Sequence, residues 1–161
     1  MSDDFLYALS EQLGEALKAR GLVLVTAESC TGGWVSEAIT SVAGSSDWFD
    51  RGYVTYSNRA KQEMLGVRTE TLERNGAVSE ATVGEMVEGA LRSSGADVAL
   101  AVSGIAGPGG AVAGKPVGTV CFAWQVSGGA LATDTQLFTG DRAAIRRQAV
   151  IAALQGVINR I

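Results

Sequence analysis

The feature that most limits the possible folds is a run of five residues, 98–102, with the sequence Val-Ala-Leu-Ala-Val and no polar side chain. A strand with one face in water alternates apolar and polar residues, whereas a continuous apolar run is typical of an interior strand covered on both faces. The segment therefore predicts an interior strand, and with it a sheet that carries a packing layer on each side.

Helices and strands alternate along the rest of the chain. Apolar residues at three- and four-residue steps predict helices at 5–20, 34–42 and 59–65. A fourth predicted helix begins after an N-cap at Ser79 and ends at Gly95, and a fifth begins after an N-cap at Asp141. Short β-branched, aromatic or apolar runs predict strands at 22–26, 53–56, 98–102, 117–125 and 131–138, the last two as an antiparallel pair. Such alternation is typical of the α/β class. We expect one domain, residues 1–161, with three α/β/α layers around a mixed, mostly parallel sheet of about five strands.

The composition excludes several kinds of protein. The chain has no histidine, which rules out Ser-His-Asp and Cys-His mechanisms and histidine-containing zinc sites. Its two cysteines, Cys30 and Cys121, are too few for a disulfide scaffold and too far apart for a C-x-x-C pair. The N-terminal residues lack the basic start and apolar run of a signal peptide, and Gly, Pro, Ser and Gln interrupt the longest uncharged runs. We expect a cytoplasmic protein with no membrane association.

Glycine marks the place where a ligand is expected to bind. The chain has 21 glycines in 161 residues, nearly twice the usual share of about 7%. They cluster at Gly32 and Gly33, between Gly104 and Gly114, and at Gly140, in each case after a predicted strand. Open α/β sheets bind ligands beyond the carboxyl ends of their strands. A net charge of −4 without a block of Lys or Arg disfavours nucleic acid, so we expect a small-molecule ligand.

The segment 27–33, Ala-Glu-Ser-Cys-Thr-Gly-Gly, lies between a predicted strand and a predicted helix. Such a turn presents side chains and free N–H groups at the edge of a sheet. Ser29 is a candidate nucleophile, and the N–H groups of the turn would hold the oxyanion formed in its attack. Alternatively, Ser29 or Thr31 is only the N-cap of the helix. Cys30 is a second candidate nucleophile, but its position is more typical of a small buried apolar residue.

A serine nucleophile in a chain without histidine needs another base, and a lysine with a lowered pKa is the usual substitute. Lys61 follows a predicted strand end that carries Tyr56, Ser57 and Asn58. A relay from Ser29 through Tyr56 and Lys61 is therefore geometrically possible. The alternative is a solvated helix lysine and a tyrosine in the core.

Two further segments are candidates for contact with a ligand. Residues 103–110, Ser-Gly-Ile-Ala-Gly-Pro-Gly-Gly, leave the third strand either as a loop whose N–H groups surround a ligand or as a flexible connection. Arg142 begins the last helix, where the helix dipole and the guanidinium both attract phosphate or carboxylate, and Thr139 is a plausible accessory donor. The alternative for Arg142 is a surface arginine at an ordinary capped terminus.

Four motifs occur in an order and spacing that a known family shares, and two further motifs follow them. TAESCTGGW begins at Thr26, GYVTYSNRAK at Gly52, NGAVSE at Asn75 and SGIAGPGG at Ser103, and KPVGTV and FTGDR follow. By these motifs the chain resembles the CinA (competence/damage-inducible) C-terminal domain family over essentially its whole length. The first and fourth motifs together are highly specific. Stand-alone members of that family include nicotinamide mononucleotide amidohydrolases.

The resemblance implies hydrolysis of the carboxamide of nicotinamide mononucleotide to nicotinate mononucleotide and ammonia, in pyridine nucleotide recycling, without metal or cofactor. It makes Ser29 the nucleophile, Tyr56 and Lys61 its activating partners, and Ser103 and Arg142 ligands of the nucleotide. It also suggests a homodimer. The other residues expected around the substrate are Cys30, Thr31, Gly32, Gly33, Asn58, Gly104, Ala106 and Gly107.

Two other functions stay open at the level of the sequence. One is a sensor that binds a pyridine nucleotide without hydrolysing it, although a pure sensor has no need of Ser29, Tyr56 and Lys61. The other is an amidase that acts on a different small amide. The dependence of binding on the phosphate of the ligand separates this amidase from the sensor.

Overall fold

A computed structural model describes residues 3–161, so the first two residues of the predicted domain lie outside the described part of the chain. The helices are α1 (Asp4–Arg20), α2 (Trp34–Thr40), α3 (Asn58–Leu65), α4 (Thr69–Asn75), α5 (Glu80–Ser94) and α6 (Arg142–Ile158). The strands are β1 (Leu24–Glu28), β2 (Phe49–Val54), β3 (Val98–Gly104), β4 (Thr119–Val126) and β5 (Ala132–Leu137). Among these residues, no helix has both the length and the apolar composition needed to cross a membrane.

The strands form one sheet in the order β2-β1-β3-β4-β5. β1 pairs in parallel with β2 and with β3, whereas β3 with β4 and β4 with β5 pair antiparallel. Among the described strands, four therefore run in one direction and β4 runs against them. The mixed, mostly parallel five-stranded sheet is confirmed, and the carboxyl ends of β1, β2 and β3 meet at one edge.

β3 is covered on both faces, as its sequence predicts. Val98, Leu100 and Val102 belong to the core layer formed with α1, α2 and α6. Ala99 and Ala101 belong to the opposite layer, where their short side chains let α5 approach the sheet. The three-layer α/β/α arrangement is thus confirmed, with large side chains on one face of the central strand and small ones on the other.

β1 lies two residues later than predicted, at Leu24–Glu28 instead of 22–26. The difference arises at Glu28. A charged residue normally marks the end of a buried strand, so the prediction stops before it. In the structure the carboxyl group of Glu28 is fully buried and hydrogen-bonded, and the strand includes this residue. The ladder also extends past the strand, since the N–H of Ser29 donates to the carbonyl of Val102 at 3.0 Å. The predicted turn at 27–33 is therefore confined to the residues after Glu28.

β2 spans Phe49–Val54 rather than 53–56. It is an edge strand with exposed Asp50 and Arg51, so it lacks the apolar pattern on which the prediction relied. Tyr56 consequently lies beyond the strand, in the loop that leads to α3.

The predicted helices are present, with two differences. α2 ends at Thr40, two residues before the predicted end. The sequence does not predict α4, because only two of its seven residues are buried, too few for a periodic apolar stripe. The predicted caps Ser79 and Asp141 are confirmed, since each side chain accepts a hydrogen bond from an N–H group in the first turn of its helix.

α3 packs closely on α5 because Gly89 has no side chain. A β-carbon at Gly89 would lie 1.9 Å from the carbonyl oxygen of Leu65, the last residue of α3. Protein interiors are too densely packed to absorb such an overlap with main-chain atoms, so a larger residue must push α3 away. α3 carries Lys61, and the position of that side chain therefore depends on Gly89.

Replacing Gly89 by alanine should lower the free energy of unfolding by about 2–3 kcal/mol, because the added methyl group meets the main chain. Gly84→Ala on the same helix is the matched control, since its β-carbon would meet only a terminal methyl group of Leu131, at 2.9 Å, which can move. Urea denaturation of both variants measures the difference. Equal stability of the two variants would contradict the close approach of α3 and α5.

Candidate active site

A cavity of about 280 Å³ opens at the edge of the sheet where β1, β2 and β3 end. Loops that follow the strands line it, together with side chains from α3 and α6. The lining residues are Ser29, Cys30, Tyr56, Lys61, Ala77, Val78, Ser103, Gly104, Ile105, Ala106, Gly107, Gly109, Gly110 and Arg142. Because open α/β sheets bind ligands at this edge, the cavity is the candidate active site.

Most of the residues predicted for the site line this cavity. The predicted residues that do not line it are Thr31, Gly32, Gly33 and Asn58. The hydroxyl of Thr31 is buried and donates to Glu28 at 2.6 Å, behind the cavity wall. Asn58 is exposed at the first residue of α3. The structure therefore gives neither side chain a position at the cavity.

Sequence reasoning assigns no role to Ala77 and Val78, which line the cavity from the loop between α4 and α5. Both residues pack against the core layer on the small-residue face of the sheet. The signal for them was the motif NGAVSE, which contains both. They give the cavity an apolar wall beside its polar groups.

Lys61 is buried, with 1% of its surface exposed, so the interpretation as a solvated helix lysine is wrong. Its amine nitrogen lies 3.0 Å from the Ser29 hydroxyl oxygen. The same nitrogen donates to the carbonyl oxygens of Thr55, at 2.8 Å, and of Tyr56, at 3.3 Å. The loop after β2 thus supplies two acceptors, and the loop after β1 supplies the hydroxyl.

Burial lowers the pKa of Lys61 to about 8, because the ammonium ion loses its hydration inside the protein. A neutral amine has two N–H groups and one lone pair. Two of the three partners of Lys61 are carbonyl oxygens, which only accept hydrogen bonds. In the neutral form these carbonyls take both N–H groups, and the lone pair is left to accept the hydroxyl hydrogen of Ser29. The arrangement is that of a general base and a nucleophile.

Tyr56 is 62% exposed, so it is not a core residue. Its hydroxyl oxygen accepts a hydrogen bond from Arg142 at 3.2 Å, whereas its carbonyl oxygen is the group that contacts Lys61. Arg142 also donates to the carbonyl of Gly107 at 2.8 Å, which ties the glycine-rich loop after β3 to α6. Arg142 therefore lines the cavity, and it is also an exposed residue at the capped start of α6.

Glu28 organises the turn that carries Ser29, and sequence reasoning missed it. Its carboxyl group is fully buried and accepts hydrogen bonds from the hydroxyl groups of Thr31, at 2.6 Å, and Ser36, at 2.7 Å. It also accepts from the N–H groups of Gly33, Val35 and Ser36, at 3.2, 2.8 and 3.0 Å. The signal was a carboxylate placed directly between a buried strand and a helix start.

These contacts correct two expectations for the turn. The N-cap of α2 is Gly33, and the side chain that satisfies the first N–H groups of the helix is Glu28, so neither Ser29 nor Thr31 is the cap. The N–H of Gly33 donates to Glu28, and the N–H of Gly32 donates to the Ser29 carbonyl at 3.0 Å. Neither N–H group is free for an oxyanion.

Cys30 lines the cavity but is 7% exposed. Burial raises the pKa of its thiol to about 12. A thiol must lose its proton to act as a nucleophile, so Cys30 is inert at neutral pH. The interpretation as a buried small residue is confirmed, and Ser29 is the nucleophile that the geometry favours.

Comparison with known proteins relates this site to a described family. The model of the family described as CinA C-terminal domain matches residues 6–161. The nicotinamide-nucleotide amidohydrolase PncC of Escherichia coli K12 is 59% identical over 155 residues, which are 96% of this chain and 94% of that protein. PncC of Pseudomonas putida is 51% identical over 155 residues, 96% of each protein.

Solved structures and longer relatives agree with this result. A competence-damaged protein (CinA) superfamily protein from Klebsiella pneumoniae 700603 superposes with a TM-score of 0.93 at 45% identity, covering 96% of each chain. A CinA-like protein of Akkermansia muciniphila is 52% identical over 143 residues, 89% of this chain but 34% of that protein. The same domain thus occurs both as a nearly full-length match and as a part of longer proteins.

Proposed function

The chain belongs to the CinA C-terminal domain family, and from this premise we propose that it hydrolyses the carboxamide of nicotinamide mononucleotide to nicotinate mononucleotide and ammonia. The names of the relatives that match over nearly their full length support the substrate. The observation that carries the chemistry is the buried Lys61 amine, 3.0 Å from the Ser29 hydroxyl at the wall of the cavity.

The proposed reaction is acyl transfer through Ser29. Neutral Lys61 removes the hydroxyl hydrogen while the serine oxygen bonds to the carboxamide carbon. The carbon–nitrogen bond then breaks, and the proton held by Lys61 passes to the leaving nitrogen, which departs as ammonia. Water attacks the resulting ester, Lys61 takes its proton, and the serine oxygen recovers that proton as the acid leaves. No step needs a metal or a cofactor.

The carbonyl oxygen of the substrate becomes negative in both steps and needs N–H donors. Gly32 and Gly33 already donate within the protein. We therefore assign the oxyanion to the N–H group of Cys30, which follows Ser29 directly and lines the cavity. Tyr56 completes the proposed catalytic group, since its carbonyl holds Lys61 and its hydroxyl lines the cavity beside Arg142.

Arg142 is the proposed phosphate ligand. Its guanidinium lies at the cavity on the first turn of α6, where the helix dipole adds to its positive charge. Ser103 and the loop residues Gly104, Ala106 and Gly107 are proposed to surround the nucleotide beside it. The proposal also includes pyridine nucleotide recycling, the cytoplasm, a homodimer and residues 1–161 as one working domain, as the resemblance implies.

Replacing Ser29 by alanine should abolish ammonia release, because the variant lacks the hydroxyl group that lies 3.0 Å from the Lys61 amine. The assay uses nicotinamide mononucleotide with a chelator present, and circular dichroism confirms folding. Ser127→Ala, in an exposed turn outside the cavity, is the matched control and should keep full activity. Full activity of Ser29→Ala would contradict the proposal that Ser29 is the nucleophile. If neither wild type nor variant releases ammonia but the nucleotide raises Tm, the sensor function applies instead.

Replacing Arg142 by alanine should raise KM for nicotinamide mononucleotide by about tenfold or more, because a charge-assisted contact with the phosphate is lost from ground and transition states alike. Steady-state kinetics with the dephosphorylated riboside is the control, and its KM should not change. A large fall in kcat for the nucleotide with unchanged KM would contradict the role. Equal KM values of wild type for nucleotide and riboside would favour a different amide substrate.

A further inference from the structure

Arg146 contacts the turn that carries Ser29 from the side of α6. Its guanidinium donates to the carbonyl of Cys30 at 3.0 Å and to the carbonyl of Thr31 at 2.9 Å. It also lies over the indole ring of Trp34, 5.4 Å from the ring centre. The side chain is half-buried.

Two side chains of opposite charge, Glu28 and Arg146, thus hold the turn through different hydrogen-bonding groups. Glu28 accepts hydrogen bonds from the N–H of Gly33 and the hydroxyl of Thr31. Arg146 donates to the carbonyl groups of Cys30 and Thr31. Neither side chain lines the cavity, so neither is placed to touch a substrate there.

Arg146 also differs in its task from Arg142, which lies one helical turn earlier. Arg142 reaches the glycine-rich loop and the Tyr56 hydroxyl at the cavity. Within the described residues, the hydrogen bonds of Arg146 go only to main-chain oxygens of the turn that carries Ser29. The start of α6 therefore fixes two different loops with two arginines.

The peptide plane connects these contacts to the chemistry. In a trans peptide group the C=O and N–H bonds point in opposite directions. Fixing the Thr31 carbonyl therefore fixes the direction of the Gly32 N–H, which donates to the Ser29 carbonyl. The Ser29 carbonyl shares its peptide group with the N–H of Cys30, the proposed oxyanion donor. Fixing the Cys30 carbonyl holds the next peptide group of the same turn.

We infer that Arg146 is a positioning residue for the proposed reaction, which orients the peptide groups after Ser29 without contacting the substrate. The inference rests on the proposed function. An oxyanion donor acts on the transition state more strongly than on the ground state, and loss of one such donor costs about 10²–10³ in kcat. Misdirection of the donor should therefore lower kcat and leave KM nearly unchanged.

The test compares Arg146→Ala and Arg146→Lys with Arg147→Ala. Arg147 is the matched control because it neighbours Arg146 on α6 but pairs with Asp3, at 2.7 Å. Ammonia release gives kcat and KM, thermal unfolding gives Tm, and hydrogen–deuterium exchange of the peptide covering residues 28–34 reports the order of the turn. Lysine presents a compact ammonium that does not reproduce the planar fork of arginine.

Arg146→Ala should lower kcat about tenfold or more with KM within about twofold, and exchange in residues 28–34 should become faster. Arg146→Lys should lie between this variant and wild type, and Arg147→Ala should match wild type in kcat and in exchange. Unchanged kcat in Arg146→Ala, or an equal loss in Arg147→Ala, would overturn the inference. If wild type itself releases no ammonia, the proposed function fails separately, and the exchange comparison alone decides whether Arg146 orders the turn.

Discussion

The contact between the Lys61 amine and the Ser29 hydroxyl is the interaction on which the rest of the site depends. A lysine is rarely buried unless its amine has partners, because the ammonium ion loses its hydration. Here two main-chain carbonyls beyond the end of β2 accept its N–H groups. The position at which the edge strand β2 ends therefore matters for the site, because it places these two carbonyl groups beside Lys61.

Several distant parts of the fold converge on this contact. Ser29 is held between neighbouring strands, because its own N–H extends the ladder to β3 while the Glu28 carbonyl accepts from Thr55 at 2.8 Å. α3 brings the Lys61 amine to the Ser29 hydroxyl. Because Gly89 on α5 has no side chain, α3 can pack close enough to α5 to hold Lys61 in this position. The end of β1 and the helices α3 and α6 thus place Ser29, Lys61 and Arg142 around one cavity, although these residues are far apart in the sequence.

Much of this arrangement could be predicted from local patterns. The apolar run at 98–102 identifies a central strand, the caps Ser79 and Asp141 locate helix starts, and the glycine clusters identify the edge of the sheet that holds the cavity. The residues that escaped prediction depend on long-range contacts. A charged residue normally lies at the surface, so the sequence does not indicate that Glu28 is buried. For Lys61 the sequence leaves a base and a solvated lysine open, and burial seen in the structure excludes the solvated lysine. Sequence spacing likewise does not show that Arg146 reaches main-chain atoms more than a hundred positions away.

The central claim is that burial lowers the pKa of Lys61 to about 8, so that a neutral fraction of the amine is present near physiological pH and directs its lone pair at Ser29. The chain has three lysines, Lys18, Lys61 and Lys115, so an NMR titration of protein labelled with ¹³C at the lysine side chains resolves them individually. One resonance should titrate near pH 8, and Lys61→Met should remove that resonance. Titration of Lys61 at the ordinary lysine value of 10.5 would contradict the account, because Lys61 would then hold its proton when Ser29 must give one up.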